Sequence, residues 1–330
     1  MPIIQGEPDA GVHTARVEED TMNPPEEFLE SLHQKWQEKF KPVMGPAPEI
    51  LPPLRKVNHS IPYIDENKRF EYYAPHCPSA FMDELKEKLD HYEQAGWWCR
   101  ATRTQAVPML YVPKASGALR MVVDARKWNE NMFLDVTPLP DQDWIRDAVA
   151  RAKHVTKIHM MDPYEQIHNI PEDVWKTLFA TPFGTYESWV LQQGDCNGPS
   201  TCQRSMVWIF CDKLGLTIFI YIDDIFICAY SIKEMEEALE YVLQTLIKEK
   251  LYISLKKFLP YVKEVDCLGV RINEEGIHAG QDKMTRVRLW PMPQSYQEVQ
   301  HFLGMIKYIA HFLLNVVAFM APLLGMCANG

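Results

Sequence analysis

The 330-residue sequence lacks several features that would each point to a protein class. No two of its eight cysteines form a CxxC pair, so neither a zinc module nor a dithiol redox motif is indicated. The N-terminus carries no secretory signal, and no uninterrupted apolar run is long enough to span a bilayer. We therefore expect a reduced, intracellular protein of the cytoplasm or nucleus that has no membrane partner and is not secreted.

Positive charge is also scarce. The formal net charge of −10 argues against an unaided nucleic-acid binder, but its distribution weakens that objection. Residues 1–50 contain ten acidic and four basic side chains, and therefore carry −6 of the total. We expect residues 1–48 to be an acidic, mostly disordered leader with one short helix in "PEEFLESLHQKWQEKF", where apolar residues recur at helical spacing.

The rest of the chain mixes strand and helix patterns without a regular βαβ alternation, which predicts an α+β fold. Two strands are expected around a turn at Ser116–Gly117, and a hairpin is expected near Gly184. Ser231 and Glu234 have capping-box spacing at the start of a helix. Strands are predicted again in "LYISLKKF" and "VDCLGVRINEEGIHA", and the tail "SYQEVQHFLGMIKYIAHFLLNVVAFMAPLLG" is predicted to be helical.

The stretch "YIDDIFIC" places Asp223 and Asp224 inside an apolar run, although ionised carboxylates are costly to desolvate. The flanking residues indicate two strands of a hairpin, with the acidic pair at or beside the turn. One interpretation is a plain hairpin turn, because aspartate favours turns. The other is a Mg²⁺ site, because hard divalent cations prefer oxygen ligands and phosphoryl transfer uses several carboxylates.

Tyr-x-Asp-Asp on such a hairpin resembles the palm motif of reverse transcriptases. Five other segments resemble further motifs of that family and occur in its order: "RMVVDARKWNEN", "DAVARAKHVTKIHMMDPYEQI", "VLQQGDCNGPSTCQRSM", "CLGVRINEEGIHA" and "SYQEVQHFLGMIKYIAHF". The likeness is strongest to the polyproteins of fungal gypsy-type long-terminal-repeat retrotransposons and covers roughly residues 48–330.

The resemblance implies a polymerase right-hand fold, with fingers and palm in residues 49–275 and a helical, thumb-like or connecting segment in 276–330. It also implies RNA-directed DNA polymerisation with two Mg²⁺ ions, an RNA or DNA template–primer duplex and deoxynucleoside triphosphates as partners. The metal ligands would include Asp223 and Asp224.

The third carboxylate of that family's metal site is missing. The family places an aspartate five residues before the aromatic residue that is Tyr164 here, and this chain has His159 at that position. Imidazole suits Zn, Cu, Ni and Fe, whereas Mg²⁺ selects oxygen, so the replacement weakens the expected site. Asp162 lies three residues further on and would face the other side of a regular strand. We therefore do not expect Asp162 to replace the missing ligand.

The resemblance also assigns seven residues to substrate contacts. The nucleotide contacts would be Lys114, Arg120, Tyr164, Gln193 and Gly194, and the primer grip would be Leu268 and Gly269. In that scheme the two cations contact the triphosphate, the tyrosine excludes a 2′-hydroxyl, and the Gln-Gly pair lines the nucleotide pocket. Taken without the resemblance, these residues are better explained as exposed cations, a core aromatic residue and an ordinary strand with a bulge.

Four positions depart from the family pattern and are expected to reflect altered packing: Ala125, His168, Asn169 and Cys202. Together with His159 and with Pro163, which cannot donate to a strand ladder, they predict an impaired polymerase. Two alternatives stay open. The chain could be a non-catalytic remnant that still binds nucleic acid or protein, or a decayed product without a selected role.

Overall fold

The computed structural model describes residues 25–70, 75–102, 105–114, 117–310 and 315–328, which mix helices with sheets. The helices in this part of the chain are α1 (Glu26–Lys39), α2 (Met82–Gln94), α3 (Arg126–Asn129), α4 (Gln142–Arg151), α5 (Gly198–Ile209), α6 (Ile232–Glu249), α7 (Gln281–Arg288), α8 (Tyr296–Ile309) and α9 (Val316–Ala328). The strands are β1 (Trp98–Arg100), β2 (Val107–Pro113), β3 (Leu119–Val123), β4 (His154–His159), β5 (Phe179–Thr181), β6 (Gly184–Ser188), β7 (Ile218–Tyr221), β8 (Asp224–Ala229), β9 (Leu259–Val262), β10 (Val265–Cys267), β11 (Val270–Asn273) and β12 (Gly276–Ala279). No helix among the described residues has both the length and the apolar character needed to cross a lipid bilayer.

A four-stranded sheet with the order β7-β8-β4-β9 forms the centre of the molecule. Alternate residues of a strand face opposite sides, and both sides of this sheet are covered. Ile225 and Ile227 of β8 pack with α6 and α1, whereas Phe226 and Cys228 pack with α4 and the sheet of β10, β11 and β12. Burial on both sides explains why the hairpin sequence is almost continuously apolar.

Helix α6 covers one side of the central sheet and begins at the predicted cap. Ser231 Oγ accepts a hydrogen bond from the Glu234 amide at 3.2 Å, and the Glu234 carboxylate accepts one from the Tyr230 amide at 2.7 Å. These bonds satisfy amides that lack partners within the first turn of the helix. The helix turns its leucines to the sheet, with Leu239 and Leu246 fully buried.

Helix α1 packs into the core, although the sequence assigns it to a leader that is expected to be mostly disordered. Its helical spacing was recognised in the sequence, but the apolar face packs into the same core as α6 and the central sheet. Trp36 is 2% exposed, stacks on Phe40 and donates its indole N–H to Tyr261 Oη at 3.1 Å. The acidic residues that suggested a solvated segment lie on the other side of this amphipathic helix or within residues 1–24, which lie outside the described residues.

A second sheet, with the order β1-β6-β5-β2-β3, forms an outer lobe. The predicted hairpin at Gly184 is β5 and β6, and the predicted strand pair before it is β2 and β3, which are antiparallel. Phe179 and Tyr186 are fully buried between this sheet and α2. The predicted turn at Ser116–Gly117 falls partly outside the described residues, but Pro113 pairs with Leu119 on its two sides.

The predicted strand in "LYISLKKF" is wrong. Ile253 makes only isolated bridges, to Met44 and Met160, and Leu255–Lys257 form a short 3₁₀ turn before β9 begins. The prediction failed because Leu251 and Ile253 alternate like strand residues but pack into the core beneath α1, and their backbone does not pair regularly with another strand. The predicted helical tail is confirmed over α8 and α9, which pack on each other and on α7.

Candidate active site

The ends of β4, β7 and β8 bring His159, Asp223 and Asp224 together at one edge of the central sheet. Asp224 is the first residue of β8 and pairs with both Tyr221 of β7 and His159 of β4. The hairpin closes through Ile222, whose φ of +55° is unusual for a β-branched residue. The acidic pair therefore sits at the turn, as the sequence predicted, and His159 is the direct cross-strand neighbour of Asp224.

The three side chains form one cluster, with one candidate ligand atom of each within 4.8 Å of the others. His159 Nδ1 lies 2.9 Å from Asp224 Oδ1, and His159 Nε2 lies 3.6 Å from Asp223 Oδ2. His159 is thus at the position where the sequence comparison expected a third carboxylate, and its ring bridges the two aspartates.

Two lysines, which the sequence analysis did not single out, complete the cluster. Lys157 Nζ lies 3.1 Å from Asp224 Oδ2, and Lys257 Nζ lies 3.0 Å from His159 Nε2. Lys157 is two residues before His159 on β4, so both side chains leave the strand on the same side. Lys257 is presented by the 3₁₀ turn that replaces the predicted strand.

The charges around Asp224 keep it ionised. Burial on its own raises the pKa of this carboxyl, but the hydrogen bond to His159 and the nearby Lys157 ammonium outweigh burial and hold the pKa below its usual value. Each oxygen of Asp224 already has a partner, one in His159 and the other in Lys157. Two carboxylates and two ammonium groups give the cluster a formal charge of zero when the imidazole is neutral.

This donor set does not fit a pair of Mg²⁺ ions. Mg²⁺ demands near-octahedral oxygen coordination, and two such ions need several carboxylates to balance their charge. The cluster offers two carboxylates, one of which already has His159 and Lys157 as partners, and one nitrogen ligand. Asp162 does not belong to the cluster, and its backbone has a φ of +35° just after β4 ends.

A cavity of about 450 Å³ lies between the outer lobe and the central sheet. Three of the predicted nucleotide-binding residues line it: Lys114, Arg120 and Gln193. Asp162 and Glu165 line the same cavity. Glu165 was not recognised in the sequence; burial, with a smaller contribution from the charge of Asp162, raises its pKa to about 7. With Lys88 and Glu49 also in its lining, the cavity therefore carries three basic and three acidic side chains.

Tyr164 lies apart from that cavity, in a small cluster with Ile167, Leu191 and Cys202. It packs against Gly198, where an added Cβ would lie 3.6 Å from the tyrosine Cζ. Burial raises the pKa of Tyr164 to about 12, with the charge of Asp223 as one of the smaller causes. Its surroundings are those of a core aromatic residue close to the acidic pair.

The predicted primer-grip residues Leu268 and Gly269 form a two-residue turn between β10 and β11, with φ of +47° and +86°. The alternative of an ordinary strand with a bulge is therefore wrong, because two successive positive φ values are typical of a tight hairpin. Arg146 of α4 donates a hydrogen bond to the Leu268 carbonyl and fixes the turn against the central sheet.

Asn169, expected to reflect altered packing, has a structural role. Its buried Nδ2 donates hydrogen bonds to the carbonyls of Ser188 and Val190, both at 2.9 Å. These bonds hold the chain between β6 and the Gln193–Gly194 loop. The short polar side chain was misread in the sequence because its partners are about 20 residues away.

The backbone at Gly194 lies so close to the backbone of Val123 that a residue with a Cβ atom does not fit. Its φ is +113°, and a Cβ at this position would lie 2.6 Å from the carbonyl oxygen of Val123. We expect Gly194→Ala to destabilise the protein by about 2 kcal/mol or more, because positive-φ strain and a backbone clash act together. Gly304→Ala, in the middle of α8 with open space around the glycine, should be neutral or slightly stabilising. Denaturant unfolding of both variants tests this difference, and equal stabilities would contradict it.

Residues 112–272 match the family described as reverse transcriptase (RNA-dependent DNA polymerase). The retrovirus-related Pol polyprotein from transposon opus of Drosophila melanogaster is 28% identical over 88% of this chain and 30% of its own length. The Tf2-3 polyprotein of Schizosaccharomyces pombe is 26% identical over 83% of this chain and 21% of its own length. The chain thus spans less than a third of the length of these curated relatives.

The fold of this chain is similar to the folds of several solved structures. The foamy viral protease-reverse transcriptase dRH in complex with double-stranded DNA matches with a TM-score of 0.79, at 22% identity, over 93% of this chain and 54% of that one. The same enzyme in complex with an RNA/DNA hybrid also gives 0.79, at 21% identity, over 93% of this chain and 41% of that one. The predicted polymerase fold of the reverse transcriptase type is confirmed.

Proposed function

We propose that the chain is a reverse transcriptase domain of the kind found in retrotransposon polyproteins, and that it binds a template–primer duplex but is impaired in Mg²⁺-dependent nucleotide transfer. The observation that carries this proposal is the neutralised cluster, in which His159 and Lys157 contact Asp224 and Lys257 contacts His159. The order of the sequence motifs supports assigning the domain to a fungal gypsy-type element. Free thiols at all seven cysteines with described side chains support an intracellular location.

The surface beside the cluster suits a phosphate backbone. A cavity of about 470 Å³ next to His159 and Asp224 is lined by Lys157, Lys256, Lys257 and Arg271, of which Arg271 is paired with Glu264 and Asp266. The exposed ammonium groups of Lys256 and Lys257 can each contact one phosphate of a primer strand running past the turn at Leu268. Lys114 and Arg120 at the other cavity would hold the triphosphate of a deoxynucleotide.

The charge balance of the cluster also reduces the electrostatic repulsion that would oppose nucleic-acid binding in the absence of metal ions. Three carboxylates without metal ions would repel a nucleic-acid backbone, whereas the two carboxylates here have two ammonium counterions within hydrogen-bonding reach of the cluster. Mg²⁺ would find few free oxygens at this position. We therefore propose that any Mg²⁺ is bound weakly and that duplex binding does not depend on it.

We expect the full chain to bind duplex nucleic acid with an affinity that falls steeply with salt and is essentially unchanged by EDTA. Lys256→Gln should lower the salt slope by about 0.9 for the one phosphate contact it loses. Lys233→Gln is the matched control, because Lys233 lies on the exposed outer side of α6 and should leave the slope unchanged. Fluorescence anisotropy across a salt series measures both slopes.

No binding at low salt by the folded protein would contradict the proposed function and favour a decayed product. Binding that is lost on addition of EDTA would show instead that metal ions, and not the lysines, neutralise the aspartates.

A further inference from the structure

The hydrogen-bond partners of His159 fix which ring nitrogen carries the proton. A carboxylate can only accept and an ammonium group can only donate. Asp224 Oδ1 therefore accepts from Nδ1–H at 2.9 Å, and Lys257 donates to Nε2 at 3.0 Å. In this arrangement Nε2 carries the lone pair, which accepts from Lys257, and Nε2 also lies 3.6 Å from Asp223 Oδ2.

A histidine held in this way is prepared for a metal ion. Metal-ligating histidines almost always donate their other N–H to a carboxylate or carbonyl, which fixes the tautomer and the ring orientation. Asp224 has that orienting role here, and it is held in turn by Lys157. His159 Nε2 and Asp223 Oδ2 are 3.6 Å apart, close to the roughly 3.3 Å that separates two ligands of a tetrahedral ion at ordinary Zn–N and Zn–O lengths.

We propose that His159 Nε2 and the Asp223 carboxylate bind one borderline transition-metal ion of the Zn²⁺ or Co²⁺ class in preference to Mg²⁺. The remaining coordination positions stay open to water or to a phosphate oxygen of a bound nucleic acid. Mixed imidazole and carboxylate ligands select such ions, whereas Mg²⁺ requires oxygen. The proposal shares its site with the proposed function, but it concerns the free protein and does not require duplex binding.

Lys257 is the competitor of the metal ion in this site. Its ammonium group occupies the position on Nε2 that a metal would take, and it adds a positive charge beside that position. Metal binding must displace Lys257, while the ion pair between Lys157 and Asp224 stays in place. Removal of the Lys257 charge should therefore strengthen metal binding.

The test is a titration of the full-length protein with Co²⁺, followed by absorption and calorimetry in excess Mg²⁺ and without nucleic acid. We expect the wild type to bind a Co²⁺ equivalent that Mg²⁺ does not displace and that His159→Ala loses. Lys257→Met should bind Co²⁺ several-fold more tightly, whereas Lys233→Met, which removes an exposed ammonium group on α6, should match the wild type. His278→Ala, which removes an exposed histidine elsewhere, should also match it.

His159→Asp provides the selectivity measurement. It should bind Mg²⁺ more tightly and lose preference for Co²⁺, so that the ratio of the two affinities falls by at least about tenfold, as expected for exchange of a nitrogen for an oxygen ligand. Asp224→Asn tests the orienting role, since the ¹⁵N shifts of His159 should report Nδ1–H in the wild type and a tautomer mixture in the variant.

Equal Co²⁺ affinity in the wild type and in folded His159→Ala would overturn the proposal, and so would an unchanged affinity ratio in His159→Asp. Either result would leave the duplex titration unaffected, because that experiment is run in EDTA.

Discussion

Replacing His159 with aspartate should raise Mg²⁺-dependent primer extension by several orders of magnitude. The change adds one hard oxygen ligand and one negative charge where β4 faces Asp224, and it removes the ring that hydrogen-bonds one oxygen of that residue. Positioning and charge neutralisation by metal ions carry most of the catalysis of phosphoryl transfer, so a restored carboxylate should have a large effect. Single-nucleotide extension of a labelled primer measures the rate.

Two variants control this experiment. His159→Asn removes the imidazole without adding charge and should stay as inactive as the wild type. Asp223→Asn in the His159→Asp background should abolish the gain, whereas a contaminating polymerase would respond to neither change. If His159→Asp binds duplex and stays inactive, His159 is not the only lesion, and Pro163 or Cys202 becomes the next residue to restore.

Trp36→Ala should destabilise the protein by roughly 3–5 kcal/mol, the range for truncating a fully buried large aromatic side chain. Trp36 is 2% exposed, and the substitution also removes the hydrogen bond from its indole N–H to Tyr261 of β9. Phe28→Ala is the matched control, because Phe28 lies on the same helix and is 45% exposed. Urea unfolding of the two variants gives the difference in free energy.

A Trp36→Ala protein as stable as Phe28→Ala would mean that α1 contributes little to the core. The prediction of an independent leader up to residue 48 would then be right, and the packing of α1 against the central sheet would be incidental to stability.

The sequence predicted secondary-structure elements correctly where local turn or cap signals agree with the tertiary packing. The acidic hairpin, the capping box at Ser231 and the hairpin at Gly184 all combine a turn or cap signal with a clear apolar pattern. Helix α1 was recognised as a helix and still assigned to a leader, because its charge and neighbouring prolines suggested solvent. Its burial depends on α6 and β9, which follow about 200 residues later.

Only those site residues that belong to the ordered family motifs were predictable from the sequence. The resemblance located His159, Asp223 and Asp224, but their mutual distances depend on the register between β4 and β8. Lys257 could not be found from the sequence, because it reaches His159 from a 3₁₀ turn that was predicted to be a strand. Glu165 was missed for a similar reason, since its burial depends on the outer lobe closing over it.

The most direct test of the account is single-turnover nucleotide incorporation by the wild-type protein on a template–primer that it has already bound, in saturating Mg²⁺ and the complementary deoxynucleotide. We predict a fully bound duplex with no primer extension, because Asp224 is held by His159 and Lys157, and Lys257 adds a further positive charge at His159. Rapid extension of the bound primer would contradict this prediction, and would mean that Asp162 or another group supplies the third carboxylate.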